Sequence, residues 1–385
     1  MNSNIKPIFV TQPSLPDLDE LTPFLKQIWA NKYVTNNGPL HRQLEEKLCQ
    51  FLGVEYISLF CNGTIALLIA MRALRLTGEV ITTPYSFVAT AHSIKWNNLT
   101  PVFVDIGRNS CNIDPEQIER SITENTTAIM PVHVYGNPCE TKRIQQIADK
   151  HKLKVIYDAA HSFGVRVRGD SVLNAGDLSV LSFHGTKVYN TFEGGAIICH
   201  SLKMKQRIDD LKNFSFQDET TVTGLGINGK MNEFQAALGL VQLKYFENDI
   251  KKRSDIDLLY RERLDHIEGI SFGNSNKKVI PNYSYFPIFI DEKNLGISRD
   301  ELYIRLKEKK IFSRRYFYPL ISDFQEYKNP YAKKAEVFKN AKKRSEEVLC
   351  LPIFPNLEFQ DVIRVVSTIK ESIDPKYRNE NASHE

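Results

Sequence analysis

One stretch of the chain, Leu178 to Ile198, places a lysine between two apolar runs. It reads LSVLSFHGTKVYNTFEGGAII, so that Ser182, His184 and Lys187 come close together after the first run. Lysine is costly to bury and usually keeps its ammonium group in water. Lys187 is therefore either solvated or held in a pocket for its amine, which can form a Schiff base with a carbonyl compound.

Three other apolar runs are followed by residues that could bind a ligand. Asn62 and Gly63 follow YISLF and begin a helix-like run, whose free N–H groups could hold a phosphate. Tyr85 and Phe87 follow EVITTP, where an aromatic ring could stack on a flat ligand. Asp158 ends the run KVIYD, where a carboxylate needs a partner such as a protonated ring nitrogen. Each residue also has a purely structural interpretation, as a helix cap or a core side chain.

These residues can meet only if the apolar runs form one sheet. Between residues 55 and 200, short runs that are apolar on both faces alternate with helical segments, which is typical of a covered, mostly parallel α/β sheet. The predicted strands are YISLF, EVITT, TPVFVDI, TAIMPVHV, KVIYDAA, DLSVLSF and GGAIICH. The predicted helices are Thr64–Leu76, Val88–Asn97, Pro115–Ser121 and Thr141–His151. The last three strands lack intervening helices, which indicates a reversed strand.

In open α/β sheets, ligands bind at the carboxyl ends of the strands. A phosphate site, an aromatic ring, a carboxylate and a lysine at that edge match the needs of pyridoxal phosphate. The sequence therefore predicts this cofactor, with Lys187 as the Schiff-base lysine and Asp158 as the partner of the pyridine nitrogen.

The pattern changes beyond residue 230. A long amphipathic helix over 232–250, continuing towards residue 266, leads into NYSYFPIFI and a helix over 299–310. We predict a large cofactor-binding domain over residues 1–254, whose N-terminal segment forms a substrate loop. A smaller α+β domain is expected over 255–375, followed by a disordered tail over 376–385.

Composition and charge exclude several classes of protein. A chain of 385 residues with 42% hydrophobic and 25% charged residues is typical of a globular protein, and a net charge of +4 is too small to indicate nucleic-acid binding. No apolar run is long enough to span a membrane, and the N-terminus does not resemble a signal peptide. The six cysteines show neither paired nor metal-ligand spacing. We expect no metal, reduced thiols and a cytoplasmic location.

Several longer stretches resemble the DegT/StrS family of sugar aminotransferases, within the fold-type-I pyridoxal-phosphate enzymes. They cover most of residues 30–240 and read NGTIAL, TTPYSFVATAHSI, PVFVDI, MPVHVYGNP, VIYDAAHSFG, SFHGTKVYNTFEGGA and GINGKMNEFQAALG. YVTNNGPLHRQLEEKL and RRYFYPL also fit the family. The resemblance implies a mostly parallel mixed sheet flanked by helices, a smaller C-terminal domain, and a homodimer whose partner chains complete each other's sites.

The resemblance also implies a reaction. An amino group would pass from L-glutamate to a nucleotide-linked keto-deoxysugar, here dTDP-4-keto-6-deoxy-D-glucose, in deoxysugar or O-antigen biosynthesis. A 3-keto-sugar aminotransferase is the alternative. A dehydratase of the same fold is less favoured because such enzymes replace the lysine by histidine, whereas this chain keeps Lys187. A non-catalytic binding module is disfavoured by the intact set of cofactor residues.

Roles for individual residues follow from the resemblance. The cofactor residues would be Gly63, Thr64 and Ser182 on the phosphate, Phe87 on the ring face, Asp158 on the ring nitrogen, His161 beside the ring hydroxyl, Lys187, and Asn228 with Lys230 reaching the partner's phosphate. The substrate residues would be Thr35, Asn36, Tyr85, His184, Arg315 and Tyr316. Two departures from the family pattern concern phosphate binding: CNGT replaces the commoner Ser-Gly-Thr, and Lys230 stands where arginine is usual, which removes a bidentate contact.

Overall fold

The structure is a computed structural model that describes residues 6–273, 276–328 and 337–373. The tail predicted over 376–385 lies outside these residues. Within the described ranges, no helix has the length and apolarity to cross a bilayer, and no group of His, Cys, Asp and Glu side chains could hold a metal ion.

The described strands are short, and most of them lie in the first half of the chain. They are β1 Ile8–Phe9, β2 Tyr56–Phe60, β3 Glu79–Thr82, β4 Thr100–Phe103, β5 Thr126–Ile129, β6 Lys154–Asp158, β7 Arg166–Val167, β8 Asp170–Ser171, β9 Leu178–Ser182, β10 Gly195–Cys199, β11 Ile270–Phe272, β12 Val279–Ile280, β13 Phe286–Ile290, β14 Ile311–Phe312 and β15 Val348–Leu351.

The described helices occur throughout the chain. They are α1 Leu18–Asn31, α2 Pro39–Leu52, α3 Gly63–Ala73, α4 Ala89–Trp96, α5 Pro115–Arg120, α6 Thr141–His151, α7 Leu202–Leu211, α8 Glu233–Leu264, α9 Glu292–Leu295, α10 Arg299–Glu308, α11 Lys339–Glu347 and α12 Phe359–Ile373. Short 3-10 helices span Val134–Gly136, Val172–Asn174 and Ile321–Asp323.

A seven-stranded sheet in the order β2-β10-β9-β6-β5-β3-β4 forms the centre of the molecule. Strand β10 runs antiparallel to both β2 and β9, and the other neighbouring pairs are parallel. The predicted mixed, mostly parallel sheet is therefore confirmed, and β10 is the reversed strand. Because β2, β3, β6 and β9 all point the same way, their carboxyl ends lie along one edge, which we call the sheet edge.

The strands of this sheet are buried because they are rich in apolar residues on both faces. Helices α3 and α4 pack on one another and α3 packs against β9 and β10, while α2 packs against α8 and β2. Helix α3 begins at Gly63, one residue before the predicted start, because the side chain of the predicted cap Asn62 accepts a hydrogen bond of 2.8 Å from the Ile65 N–H. Helix α8 begins with a capping box formed by Asn232 and Gln235.

A second, three-stranded antiparallel sheet, β11-β13-β15, lies in the C-terminal part of the chain. It shares a core with α10, α12 and the later turns of α8, which includes Tyr260, Phe286 and Val365. Helix α8 runs without a break through residue 254, where we placed a domain boundary. Strand β12 pairs with β7 and links this part of the chain to the first. The division into two domains stays a prediction.

Candidate active site

Asp158 is the last residue of β6 and lies on the sheet edge, with only 5% of its surface exposed. The Thr90 hydroxyl donates to its Oδ2 at 2.7 Å, and the Ala160 N–H donates to Oδ1 at 3.2 Å. Burial raises the pKa of Asp158, while these two donors and the charge of Lys187 act in the opposite direction. A cationic ring nitrogen beside this carboxylate would further favour its ionised form.

Lys187 lies in the loop that joins β9 to β10. The backbone N–H of Lys187 donates to the His184 carbonyl at 2.8 Å, which fixes a tight turn. Burial lowers the pKa of its amine to about 8, although Asp158 opposes this shift. A useful share of the amine is therefore neutral near neutral pH, as a nucleophile requires. The Tyr285 hydroxyl lies 3.5 Å from Nζ.

The predicted phosphate site, which we call the cradle, lies where β2 ends and α3 begins and consists of Asn62, Gly63, Thr64 and Ser182. A Cβ atom on Gly63 would lie 3.0 Å from the Cβ of Ser182, so a larger residue would crowd the approach of the helix start to β9. A Cβ atom on Gly195 would lie 2.7 Å from the backbone of Asn62. The cradle thus combines helix N–H groups, the positive end of the helix dipole and a nearby hydroxyl.

Two aromatic side chains, Phe87 and His161, complete this part of the site. Phe87 precedes α4 and is 59% exposed, so its ring is available for stacking on a ligand. His161 is buried, and its Nδ1 accepts a hydrogen bond of 3.2 Å from the Tyr135 N–H. Burial lowers the pKa of His161, so the ring is neutral and carries its proton on Nε2. This proton could be donated to a ring hydroxyl.

These groups fit pyridoxal phosphate. The cofactor has a phosphate, a ring nitrogen, a flat ring face and a carbonyl group. The site offers one contact for each of these parts, in the same order: the cradle, the buried carboxylate of Asp158, the exposed ring of Phe87 and the partly neutral amine of Lys187. The roles of the individual residues stay predictions.

The loop at residues 228–230 packs against the cradle of its own chain. The Gly229 carbonyl accepts from the Cys61 N–H at 2.8 Å, and the Gly229 N–H donates to the Lys212 carbonyl at 2.8 Å. Asn228 is exposed, and the Lys230 amine lies 4.6 Å from the centre of the Phe214 ring. All of these contacts lie within one chain. The predicted contact of Asn228 and Lys230 with a partner's cofactor would form only in an assembly with a second chain.

The predicted substrate residues lie in four places. Thr35 is exposed and Asn36 partly buried, in the segment between α1 and α2, and His184 is exposed beside Thr186 in the Lys187 loop. Tyr85 and Tyr316 belong to an aromatic cluster near His161, where the hydroxyls of Tyr85 and Tyr135 lie 2.7 Å apart and both contact the Tyr316 carbonyl. Arg315 directly precedes Tyr316, but its side chain pairs with Asp300 at 2.7 Å and stacks on Tyr303 and Tyr318.

Sequence reasoning missed three residues that contact this site, namely Thr90, Tyr135 and Tyr285. Thr90 lies inside the quoted stretch TTPYSFVATAHSI, where its position on the inner face of α4 was the available signal. Tyr135 is in the quoted MPVHVYGNP. Tyr285 follows no strand of the central sheet, so it could not be found by searching for polar residues at the carboxyl ends of those strands.

The chain matches the model of the DegT/DnrJ/EryC1/StrS aminotransferase family over residues 18–370. Two relatives named dTDP-4-amino-4,6-dideoxy-D-glucose transaminase, from Shigella dysenteriae and Escherichia coli, are 57% and 53% identical over 95% of this chain and 99% of their own length. The crystal structure of DesI in the presence of its TDP-sugar product is 32% identical, with a TM-score of 0.93 over 98% of this chain and 96% of that one.

A second solved structure, Helicobacter pylori PseC, is an aminotransferase involved in the biosynthesis of pseudoaminic acid. It is 27% identical and covers 96% of this chain and 99% of its own, with a TM-score of 0.88. These findings confirm the predicted fold type, the enzyme class and the cofactor, pyridoxal phosphate. The chain belongs to the DegT/DnrJ/EryC1/StrS aminotransferase family.

Proposed function

We propose that the enzyme transfers an amino group from L-glutamate to C4 of dTDP-4-keto-6-deoxy-D-glucose, giving dTDP-4-amino-4,6-dideoxy-D-glucose. The reaction class rests on one observation above all: a lysine whose pKa is lowered to about 8 and a buried aspartate lie together at one sheet edge. The choice of substrate is supported by two nearly full-length relatives that carry the name of this transaminase.

Each residue of the site then has a defined task. Pyridoxal phosphate, when bound, supplies a carbonyl that captures amines and a cationic ring that withdraws electrons. The Lys187 amine would hold the carbonyl group of the cofactor, and its Nζ would accept and return the proton that transamination moves. Asp158 would keep the ring nitrogen of the cofactor protonated, and Thr90 holds the Asp158 carboxylate in place. The cradle would hold the cofactor phosphate through its N–H groups.

A product assay tests this proposal. The purified enzyme is incubated with glutamate and either the dTDP-linked 4-keto sugar or its 3-keto isomer, and products are followed by mass spectrometry. We expect conversion of the 4-keto sugar, with 2-oxoglutarate formed in equal amount. Efficient use of the 3-keto sugar with the 4-keto sugar inert would overturn the choice of substrate but not of reaction class.

We also propose that the active unit is a homodimer. The rings of Phe192 and Phe234 stack 6.0 Å apart, although 44% and 41% of their surfaces are exposed, and Leu225 is 80% exposed in the chain segment that leads to Asn228. Apolar side chains exposed this close to a ligand site are typical of a surface that another chain covers. A two-fold axis here would exchange the two loops at residues 228–230 symmetrically.

Mixing two inactive variants tests the shared site. Lys187→Ala chains are combined with chains that carry Asn228→Asp and Lys230→Glu. In a mixed dimer with shared sites, one site carries both lesions and the other carries none, so activity should reappear. Absence of recovery despite demonstrated subunit exchange, or full activity in a proven monomer, would refute the shared site.

A further inference from the structure

The segment from Asn282 to Tyr285 connects the C-terminal part of the chain to the loop that follows β6. The Asn282 side chain, buried at 2% exposure, donates to the carbonyls of His161 at 2.8 Å and Phe163 at 2.9 Å. The Ser284 hydroxyl donates to the His161 carbonyl at 3.0 Å. These three hydrogen bonds fix the segment directly against the site.

Tyr285 is the residue of this segment that reaches the reacting amine. Its hydroxyl lies 3.5 Å from Lys187 Nζ. Its ring packs edge-on to His161, with centroids 4.9 Å apart, and also contacts the rings of Tyr135 at 5.6 Å and Tyr316 at 5.7 Å. These three ring contacts restrict the movement of the Tyr285 ring and so help to keep its hydroxyl near Lys187.

The protonation states of the two groups suit a hydrogen bond between them. Burial raises the pKa of Tyr285, so the phenol keeps its proton throughout the range in which the enzyme works. Burial lowers the pKa of Lys187 to about 8, so the amine exists in both forms near neutral pH. A phenol O–H can donate to the lone pair of a neutral amine, and its oxygen can accept from an ammonium group.

Within the part of the chain that the structure describes, Tyr285 is the one side chain within hydrogen-bonding distance of the Lys187 amine. The Asp158 carboxylate acts on this amine by its charge and is held instead by Thr90 and Ala160. A long, flexible side chain loses orientation quickly without such a contact, and misorientation of a nucleophile slows its attack.

We infer that Tyr285 belongs to the reacting centre, where its hydroxyl holds the Lys187 amine in position for attack whenever that amine is not covalently engaged. The inference rests on the proposed aminotransferase reaction, because it gives a task to the free amine. Through Tyr285, the C-terminal part of the chain would contribute a side chain to the reacting centre.

The rate at which the apo protein captures its cofactor tests this directly. Pyridoxal phosphate is mixed with cofactor-free wild type, Tyr285→Phe and Tyr283→Phe, and covalent attachment is followed by absorbance and located by borohydride reduction and peptide mass spectrometry. We expect Tyr285→Phe to attach the cofactor about threefold to tenfold more slowly, with the final amount bound unchanged at saturation. Phenylalanine keeps the ring packed on His161, so the fold should be preserved, which circular dichroism verifies.

Tyr283→Phe is the matched control, because it removes a hydroxyl from the same segment and that hydroxyl makes no hydrogen bond among the described residues. This variant should attach the cofactor at the wild-type rate. Attachment at the wild-type rate by Tyr285→Phe, or equal slowing in both variants, would overturn the role of Tyr285. If wild type itself forms no bond at Lys187, the proposed function fails as well, and the two failures are thereby distinguished.

Discussion

Lys187, in the loop after β9, is partly buried and Lys212, just after α7, is almost fully buried, but the groups that surround the two amines differ. The Lys212 side chain is 2% exposed, and its amine lies 2.7 Å from Asp209 and 3.8 Å from Glu45. The Lys187 amine has a single hydroxyl at 3.5 Å. A buried charge with close opposite charges serves the fold, whereas one with few partners can change its protonation state and serve chemistry.

The carboxylates near the two lysines, Asp209 near Lys212 and Asp158 near Lys187, also differ in how far nearby positive charges offset their burial. Burial acts to raise the pKa of Asp209, but Lys212 and Lys205 lower it overall. Burial also raises the pKa of Asp158, and there the opposing groups do not reverse the shift. The Asp158 carboxylate therefore lacks a full countercharge within its own chain, as expected of a group that receives a cationic ligand.

The largest effect should come from removing the reactive amine. Lys187→Ala should reduce transamination below detection, because no other described amine occupies its place, while circular dichroism and gel filtration remain like those of wild type. Turnover is measured with glutamate and the keto sugar. Wild-type-like turnover by this variant would show that Lys187 is an ordinary lysine and would remove the contrast with Lys212.

Lys212→Met should act on the fold instead. The methionine keeps an apolar stem but leaves Asp209 and Glu45 with Lys205 as their remaining close cation, so we expect a loss of about 3 kcal/mol in the free energy of unfolding. Urea unfolding measures this loss. The matched control is Lys244→Met, which removes an exposed pair with Glu20 and should lower stability much less. Equal losses in the two variants would refute a special role for Lys212.

Asp158→Asn should retain the cofactor through the cradle but lose most of the rate. A neutral amide cannot favour a protonated ring nitrogen, and an unprotonated ring is a poor electron acceptor. We expect kcat to fall at least about tenfold, which is about 1.4 kcal/mol of barrier. Cofactor content is checked by absorbance. A smaller fall with full cofactor content would mean that Asp158 does not contact the ring nitrogen.

The contrast between the two lysines should also appear as a pH dependence of stability in the apo protein. The pKa of Lys187 is lowered from 10.5 to about 8 in the fold, so the penalty for holding the ammonium group is fully present below pH 8 and is lost as the pH rises towards 10.5. Lys187→Met should therefore be more stable than wild type at pH 7, by about 1 kcal/mol after allowance for partial exposure.

Urea unfolding of both proteins across this pH range measures the difference. The difference in the free energy of unfolding between Lys187→Met and wild type should shrink above pH 8. An advantage that stays constant or grows with pH would contradict the lowered pKa of Lys187.

The sequence predicted the central sheet and the site residues that follow its strands, because both depend on local patterns. Apolar runs marked β2, β6 and β9, and the polar residues after them fall at the sheet edge, Lys187 and Asp158 among them. Thr90 contacts a residue 68 positions away and Tyr285 one that is 98 positions away, so no local pattern reports their contacts. The burial of Lys212 also could not be predicted from the local pattern, because LKMKQRIDDLK is typical of a charged, solvated helix.

The smallest effect should come from the hydroxyl that contacts Asp158. Thr90→Val keeps the shape of a fully buried side chain but removes the donor to Oδ2, and this donor is one of the groups that lower the pKa of Asp158. The pKa should therefore rise further, and the ionised carboxylate should be lost at a higher pH. We expect kcat/KM to fall about threefold to tenfold, with the acid limb of its pH profile moved upward.

Two further variants separate this effect from a loss of packing. Thr90→Ser restores the donor and should return the acid limb to its wild-type position. Thr82→Val removes an equally buried hydroxyl, which donates to the Met130 carbonyl at 2.8 Å and does not contact Asp158. It should lower stability without moving the profile, because the Asp158 carboxylate keeps both of its donors. If Thr82→Val moves the acid limb as far as Thr90→Val does, the shift reflects disturbed packing of the sheet, and Thr90 has no particular influence on the charge of Asp158.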